Sequence, residues 1–299
     1  MSEPLQNPSA PSEDRAPAEK KKSPLAKRVT TGLPLILLVI VIVWNGGWLF
    51  AVVAFITIAL SLYEELRALS FKGHHPVWWV SFAGLVIAIP LMMLYSTVTL
   101  VPLMTVLSFL SIFLVMRRQK PELMDIMTSL LPLFSIVLPG MCLFGILDTQ
   151  PMPLQRMLLT LIFAIAVGCD TCAYAVGSLV GGPKLCPNIS PKKTIAGAVG
   201  GLSGSVLLAW LTGAIFAATV PEATYFPPFW ANMLAGLVGG VVAQVGDLFA
   251  SLVKRHCGVK DFSDLLPGHG GALDRMDSIL FCAVIVYSYR AILVTHLLP

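Results

Sequence analysis

LPLILLVIVIVWNGGWLFAVVAFITIALSLYEEL, residues 33–66, carries no charged side chain until Glu64 and Glu65 near its end. A soluble domain has little means of burying so long an uncharged run. A hydrocarbon core roughly 30 Å thick, by contrast, needs about 20 apolar residues at about 1.5 Å each. The stretch reads either as two short spans hinged at Asn45-Gly46-Gly47 or as one long segment with a re-entrant piece. Composition points the same way: 56% of the chain is hydrophobic, 12% is charged, and the mean hydropathy is +0.82. These values lie outside the range of soluble globular domains.

Working outward, comparable apolar runs fall at 33–46, 48–66, 77–95, 98–116, 124–147, 157–180, 195–219, 229–252 and 278–298. The expected fold is therefore an all-α polytopic integral membrane protein with about nine transmembrane helices. Residues 1–30 are polar and follow no apolar period, so they read as a disordered cytoplasmic tail rather than a signal peptide. Residues 31–150 form the N-terminal helices. Residues 151–299 form a C-terminal catalytic region with cytoplasmic loops at 181–194 and 253–277.

Lysine and arginine set the orientation, because cytoplasmic segments retain the excess. With the N-terminus inside and the C-terminus outside, 18 of the 20 basic residues lie in the tail and in the loops near Arg67, Arg117, Lys184 and Lys254. Only Arg156 and Arg290 fall elsewhere. The net charge of +4 is shared between tail and body and gives no reason to expect a nucleic-acid partner. The six cysteines lie in apolar runs or cytoplasmic loops, where thiols stay reduced. Cys169-Asp170-Thr171-Cys172 has CxxC spacing inside a span and reads as helix packing rather than redox or zinc chemistry.

Carboxylates within a membrane are costly and tend to mark function. Asp170 and Asp247 lie in the cytoplasmic halves of their spans, and Asp274 and Asp277 open the last span from the same side. Four carboxylates at one depth suit a hard cation such as Mg²⁺. Along one face of the preceding helix, Asp247, Ser251 and Lys254 succeed one another at spacings of four and three, with Arg255 beside Ser251. Pro267-Gly268-His269-Gly270-Gly271 can turn tightly and cup an anion with successive backbone N–H groups. Lys192 and Lys193 precede a helix N-terminus, a favourable place for phosphate. Gly197, Gly200, Gly201 and Gly204 are spaced for close helix contact. Each feature also has a plain structural reading: basic fringe residues mark topology, and acids favour helix N-termini.

Taken together, SLVKRHCGVKDFSDLLPGHGGALDRMD (251–277), CDTCAYAVG (169–177) and KLCPNISPKKTIAGAVGG (184–201) resemble the signature of the phosphatidate cytidylyltransferase (CDP-diacylglycerol synthase) family. The likeness covers the C-terminal half, and YEE at 63–65 is similar to a further family feature. The resemblance implies Mg²⁺-dependent transfer of CMP from CTP to phosphatidate, giving CDP-diacylglycerol and pyrophosphate. It further implies Asp247, Asp277 and Asp274 as metal carboxylates, and Lys254, Arg255, Lys260, Arg275 and Lys193 as phosphate-binding cations. Lys192 and Ser251 would join the substrate site. His269, Gly270 and Gly271 would shape the nucleotide loop, and Asp170 and Tyr174 would line the cavity. Asp261 would either orient Lys260 and Arg255 or join the metal shell. Ala196 and Ala250 depart from the family pattern, which usually has Glu at both places. Expected partners are CTP, phosphatidate and membrane lipids, with a homodimer allowed. The expected location is a bacterial inner membrane, with the active site facing the cytoplasm. Two alternatives stay open: another lipid phosphate as acceptor, and a transporter using the intramembrane aspartates.

Overall fold

The computed structural model describes residues 37–95, 99–220, 226–265 and 270–296. The tail expected at 1–30 and His269 lie outside them. Residues 37–45 are helical, and the chain breaks at Gly46 and Gly47, both at positive φ (60° and 53°), a conformation that costs glycine little. After this break α1 runs without interruption over Gly47–Phe71. The hinge expected at Asn45-Gly46-Gly47 is thus present, and the segment after it is a full-length helix rather than a short span.

Beyond it lie α2 (Trp78–Tyr95), α3 (Leu100–Met116) and α4 (Leu123–Ile146). Next come α5 (Met152–Val180), a hairpin of β1 (Lys184–Cys186) and β2 (Ser190–Thr194), α6 (Ile195–Thr219), α7 (Phe229–Cys257) and α8 (Leu273–His296). Six of these helices, α1 and α4 to α8, are long and apolar enough to cross a membrane; Trp78–Leu91 and Leu100–Met116 are shorter apolar helices. The architecture is that of a mostly helical polytopic membrane protein. It has one small departure from the all-α expectation: the antiparallel hairpin pairs Lys184 with Thr194 and Cys186 with Ser190. The loop expected at 253–277 is also shorter, because α7 continues to Cys257, where Gly258 closes it in the left-handed conformation (φ 74°). A glycine there is the usual way to end a helix.

Alternate connections meet at two opposite ends. At one end Arg118 bonds Asp125 at 2.7 Å, and Asp125 accepts the His75 N–H at 2.8 Å, tying the α1–α2 and α3–α4 connections together. The His74 and His256 rings stack there with centroids 5.7 Å apart. At the other end Arg290 donates to Thr149 at 2.7 Å, and the Arg156 guanidinium lies 5.6 Å over Trp44. The end holding Arg118 and His256 also holds the hairpin and the α7–α8 loop.

Lipid tails offer helices no hydrophobic reason to associate, so small residues and close backbone approach take over. A Cβ on Gly200 would stand 2.5 Å from Val176, and one on Gly204 2.4 Å from the Cys172 sulfur. One on Gly201 would stand 2.9 Å from the Cys169 carbonyl oxygen. The glycine row of α6 is therefore seated against α5, and Cys169 and Cys172 are its contact face. On α7, Gly236 and Gly240 meet Ala209 and Ser205 of α6 in the same way. Pro132 interrupts α4 and is succeeded by a π-helical turn, Leu133–Val137. A proline lacks the N–H that would continue the regular ladder.

Candidate active site

Four elements converge at the end bearing the basic connections: α5, β2, α7 and the start of α8. The hairpin explains which lysine arrives. Side chains alternate along a strand, so Lys193 turns inward while Lys192 stays exposed. Lys193 forms an ion pair with Asp247 of α7. Thr194 then caps α6, its hydroxyl accepting the Gly197 N–H at 3.1 Å. Such a cap is worth about 1 kcal/mol.

Asp247 reaches this position because Gly246 lets α7 close on α8. A Cβ at Gly246 would lie 2.8 Å from the Asp277 carbonyl oxygen and 2.7 Å from the Phe281 ring. Asp247 and Asp277 are thereby electrostatic neighbours, and Asp170 of α5 faces both. Arg275 and Ser278 lie beside Asp170 as well. Asp277 accepts the Ser278 N–H at 2.7 Å. Asp170, Asp247 and Asp277, read from the sequence as carboxylates at one depth, and Lys193, read from its place before a helix, act on one another electrostatically.

Asp274 is placed differently. Its side chain is 3% exposed and receives Lys254 at 2.6 Å, the Phe262 N–H at 2.9 Å and the Gly271 N–H at 3.0 Å. Three donors occupy this carboxylate, and the face it was expected to share with Asp277 is split. Asp274 folds back onto its own loop while Asp277, nearly one turn on, looks toward α7. Lys254 is ion-paired with Asp274 and also acts electrostatically on Asp277. Gly270 does take a positive φ of 81°, but the Gly271 N–H expected to cup an anion already serves Asp274.

Of the remaining candidates, Ser251 is buried on α7 one turn beyond Asp247. Arg255 is exposed, with its Nε 3.5 Å from the Ile189 carbonyl oxygen of the hairpin turn. Lys260 and Asp261 are exposed and line a cleft of about 400 Å³ with Arg67, Phe71 and Phe262. Asp264, also exposed, borders the same cleft. Tyr174 stands four residues after Asp170 and is 80% exposed. Ala250 is buried within α7 and Ala196 is half-buried at the start of α6.

Sequence reasoning passed over one residue. Glu64 of α1, 4% exposed, accepts the Leu273 N–H at 2.8 Å, the Ala272 N–H at 3.0 Å and the Ser263 hydroxyl. The YEE likeness pointed at it, and a carboxylate pair ending an apolar run was the signal. Its neighbour Glu65, 1% exposed, accepts the Ser135 hydroxyl at 2.8 Å from the π-helical turn.

The chemistry of the group suits Mg²⁺ in part. Among the described residues, no set of three or more His, Cys, Asp or Glu side chains is arranged to hold a metal. Asp247 and Asp277, with Asp170 facing them, nevertheless form a carboxylate cluster beside cations. Mg²⁺ is commonly bound by one or two carboxylates, with substrate phosphates and waters completing its shell. The donor set fits that mode and does not fit a closed protein cage.

This arrangement can hold polyanions at a membrane surface. A model of the cytidylyltransferase family matches residues 26–293. The chain belongs to that family. It is 31% identical over 281 aligned residues to a Synechocystis protein called phosphatidate cytidylyltransferase, covering 83% of this chain and 90% of the relative. A Staphylococcus epidermidis protein of the same name is 31% identical over 263 residues, covering 85% and 94%. A Brucella melitensis protein, also so named, is 42% identical over 131 residues, covering 44% of this chain. The match spans about half the length of that relative, 46%. The cytidylyltransferase family is one of nucleotidyltransferases. The family match takes in α1 to α8, well beyond the C-terminal motifs alone.

Proposed function

We propose that this chain is a phosphatidate cytidylyltransferase that transfers CMP from CTP to phosphatidate in phospholipid biosynthesis. The observation that carries the reading is the convergence of Lys193, Asp247, Asp277 and Asp170 from four separate elements, at the end holding the basic connections. A phosphate oxygen of phosphatidate attacks the α-phosphorus of CTP. The bond between that phosphorus and the bridging oxygen breaks, and pyrophosphate leaves. The lipid brings its own nucleophile, so the protein's task is to align two polyanions and offset the charge that develops.

Lys193 is the inward cation nearest the carboxylates, and Arg275 flanks Asp170. Arg255 and Lys260 stand at the cytoplasmic rim, where the soluble nucleotide enters. Asp247 and Asp277 would hold Mg²⁺, with Asp170 beside them and Asp274 left to its loop. When bound, the ion supplies positive charge to the phosphate oxygens. Phosphate arriving at Lys193 competes with Asp247 for the ammonium and frees that carboxylate.

We place the site in the cytoplasm-facing half of a bacterial inner membrane, with nine passes, N-terminus inside and C-terminus outside. The support is the distribution of charge. Arg67, Lys72, Arg117, Arg118, Lys120, Lys184, Lys192, Lys193, Lys254, Arg255, Lys260 and Arg275 belong to one end, and Arg156 and Arg290 to the other. The same one-sidedness disfavours transport, which calls for a site near the bilayer midplane.

The test is an assay of purified protein with labelled CTP, phosphatidate and Mg²⁺, comparing wild type with Asp277→Asn. Wild type forms lipid-linked CMP, and the variant loses on the order of 10²-fold in kcat. Absence of metal-dependent CMP transfer to any phospholipid acid would remove the reading. Polyprenyl phosphate in parallel separates the two acceptor classes, and dCTP probes the consequence of Ala196 and Ala250.

A further inference from the structure

We infer that Glu64 is a positioning residue for the transfer reaction, a cap delivered to α8 from the opposite half of the chain; this rests on the function proposed above. The first N–H groups of any helix lack intrahelical partners and are normally satisfied by a side chain just ahead of the helix. At α8 the local residues cannot do this alone, because Asp274 is turned back onto Gly271, Phe262 and Lys254. Glu64 fills the gap from α1. One carboxylate oxygen takes the Leu273 N–H and the other takes the Ala272 N–H, and the Ser263 hydroxyl shares the latter oxygen.

The approach depends on Gly271, since a Cβ there would lie 2.5 Å from a Glu64 oxygen. A single buried carboxylate thus fixes both flanks of the 258–272 connection: Ser263 on the α7 side, Ala272 and Leu273 on the α8 side. Asp274 and Arg275 lie in the first turn of α8 and Asp277 opens the second, directly beyond this anchor. The angle at which Asp277 meets Asp247 across Gly246 is therefore set jointly by the α7–α8 contact and by Glu64. The negative charge also lies at the positive end of the α8 dipole. The α8 N-terminus is consequently held by protein and is not open to a substrate phosphate.

The experiment compares full-length wild type, Glu64→Gln and Glu64→Ala in lipid nanodiscs, by steady-state kinetics and by amide hydrogen exchange. Misplacing a reacting constellation by about 1 Å costs on the order of 10²-fold. Glu64→Ala is expected to lose kcat on that scale with the CTP KM changed less, because Lys193 of the hairpin and Arg255 of α7 stay in place. Glu64→Gln, which keeps the volume and one acceptor oxygen, recovers part of the loss and carries the readouts if the alanine variant does not accumulate. Exchange rises at 263–265 and 270–273 and stays at wild-type levels in α5 and α6. Wild-type kcat and wild-type exchange in both variants would overturn the inference, as would exchange raised throughout the protein. If wild type itself transfers no CMP, the function fails instead, and the exchange at 270–273 still decides whether Glu64 caps α8.

Discussion

At the scale of single residues, the adjacent lysines of the hairpin give the sharpest contrast. Lys193 faces Asp247 and Lys192 faces outward. Lys193→Met is expected to lower kcat/KM on the order of 10²-fold, as removal of a transition-state donor does. Lys192→Met should cost less than about fivefold, the size of an exposed charge contact. Parallel kinetics on the two variants check this. Asp274 and Asp277 form a second contrasting pair. Asp274→Asn strips a nearly buried ion pair of its charge and should destabilise the protein by about 3 kcal/mol. The Mg²⁺ concentration for half-maximal activity should then stay at the wild-type value, whereas Asp277→Asn raises it; thermal unfolding and Mg²⁺ titration separate the two. Sequence pattern could name all four side chains because charge within an apolar chain is conspicuous. It could not sort them. The strand that divides Lys192 from Lys193 is five residues long and carries no alternating apolar signal, and the split between Asp274 and Asp277 depends on donors from Lys254 and Phe262.

At the scale of elements, the α5–α6 pair was the more legible part. The spacing of Gly197, Gly200, Gly201 and Gly204 announces a close seam, and the CxxC pair forms its other side. Gly204→Ala should cost about 1–3 kcal/mol by overpacking, read as a fall in unfolding temperature. Cys172→Ser should leave CMP transfer unchanged and equally indifferent to reductant, which an assay with and without dithiothreitol decides. The break at Gly46 was readable from Asn-Gly-Gly, although the length of α1 beyond it was not. Hydropathy falls at Glu64 and Glu65 because the tertiary structure supplies partners there, and no local count can foresee partners on α8 and α4. Ends of helices are misjudged for the same reason: α7 runs on through Lys254 and Arg255 to Cys257, since polar residues continue a helix once it has left the lipid.

At the scale of the whole molecule, the two ends differ in charge, and that difference can be tested directly. Cys257 is buried and makes a poor reporter. Lys192→Cys should react with an impermeant maleimide only from the cytoplasmic side, and Asp148→Cys, exposed at the opposite end, only from outside. Labelling of both from the same side would undo the alternating arrangement. The contact between Glu64 and Leu273 bears on how such a protein is made. Its partners are 209 residues apart in sequence, so the ribosome has finished most of the chain before they can meet. Until then α7 can sit in the bilayer with Asp247 and Lys193 already paired, yet Asp277 has not entered. Activity should therefore arrive late and all at once during biogenesis, and a nascent chain stalled before α8 should be inserted, stable and silent. For a chain with the proposed activity, a half-built copy would then occupy lipid without consuming nucleotide.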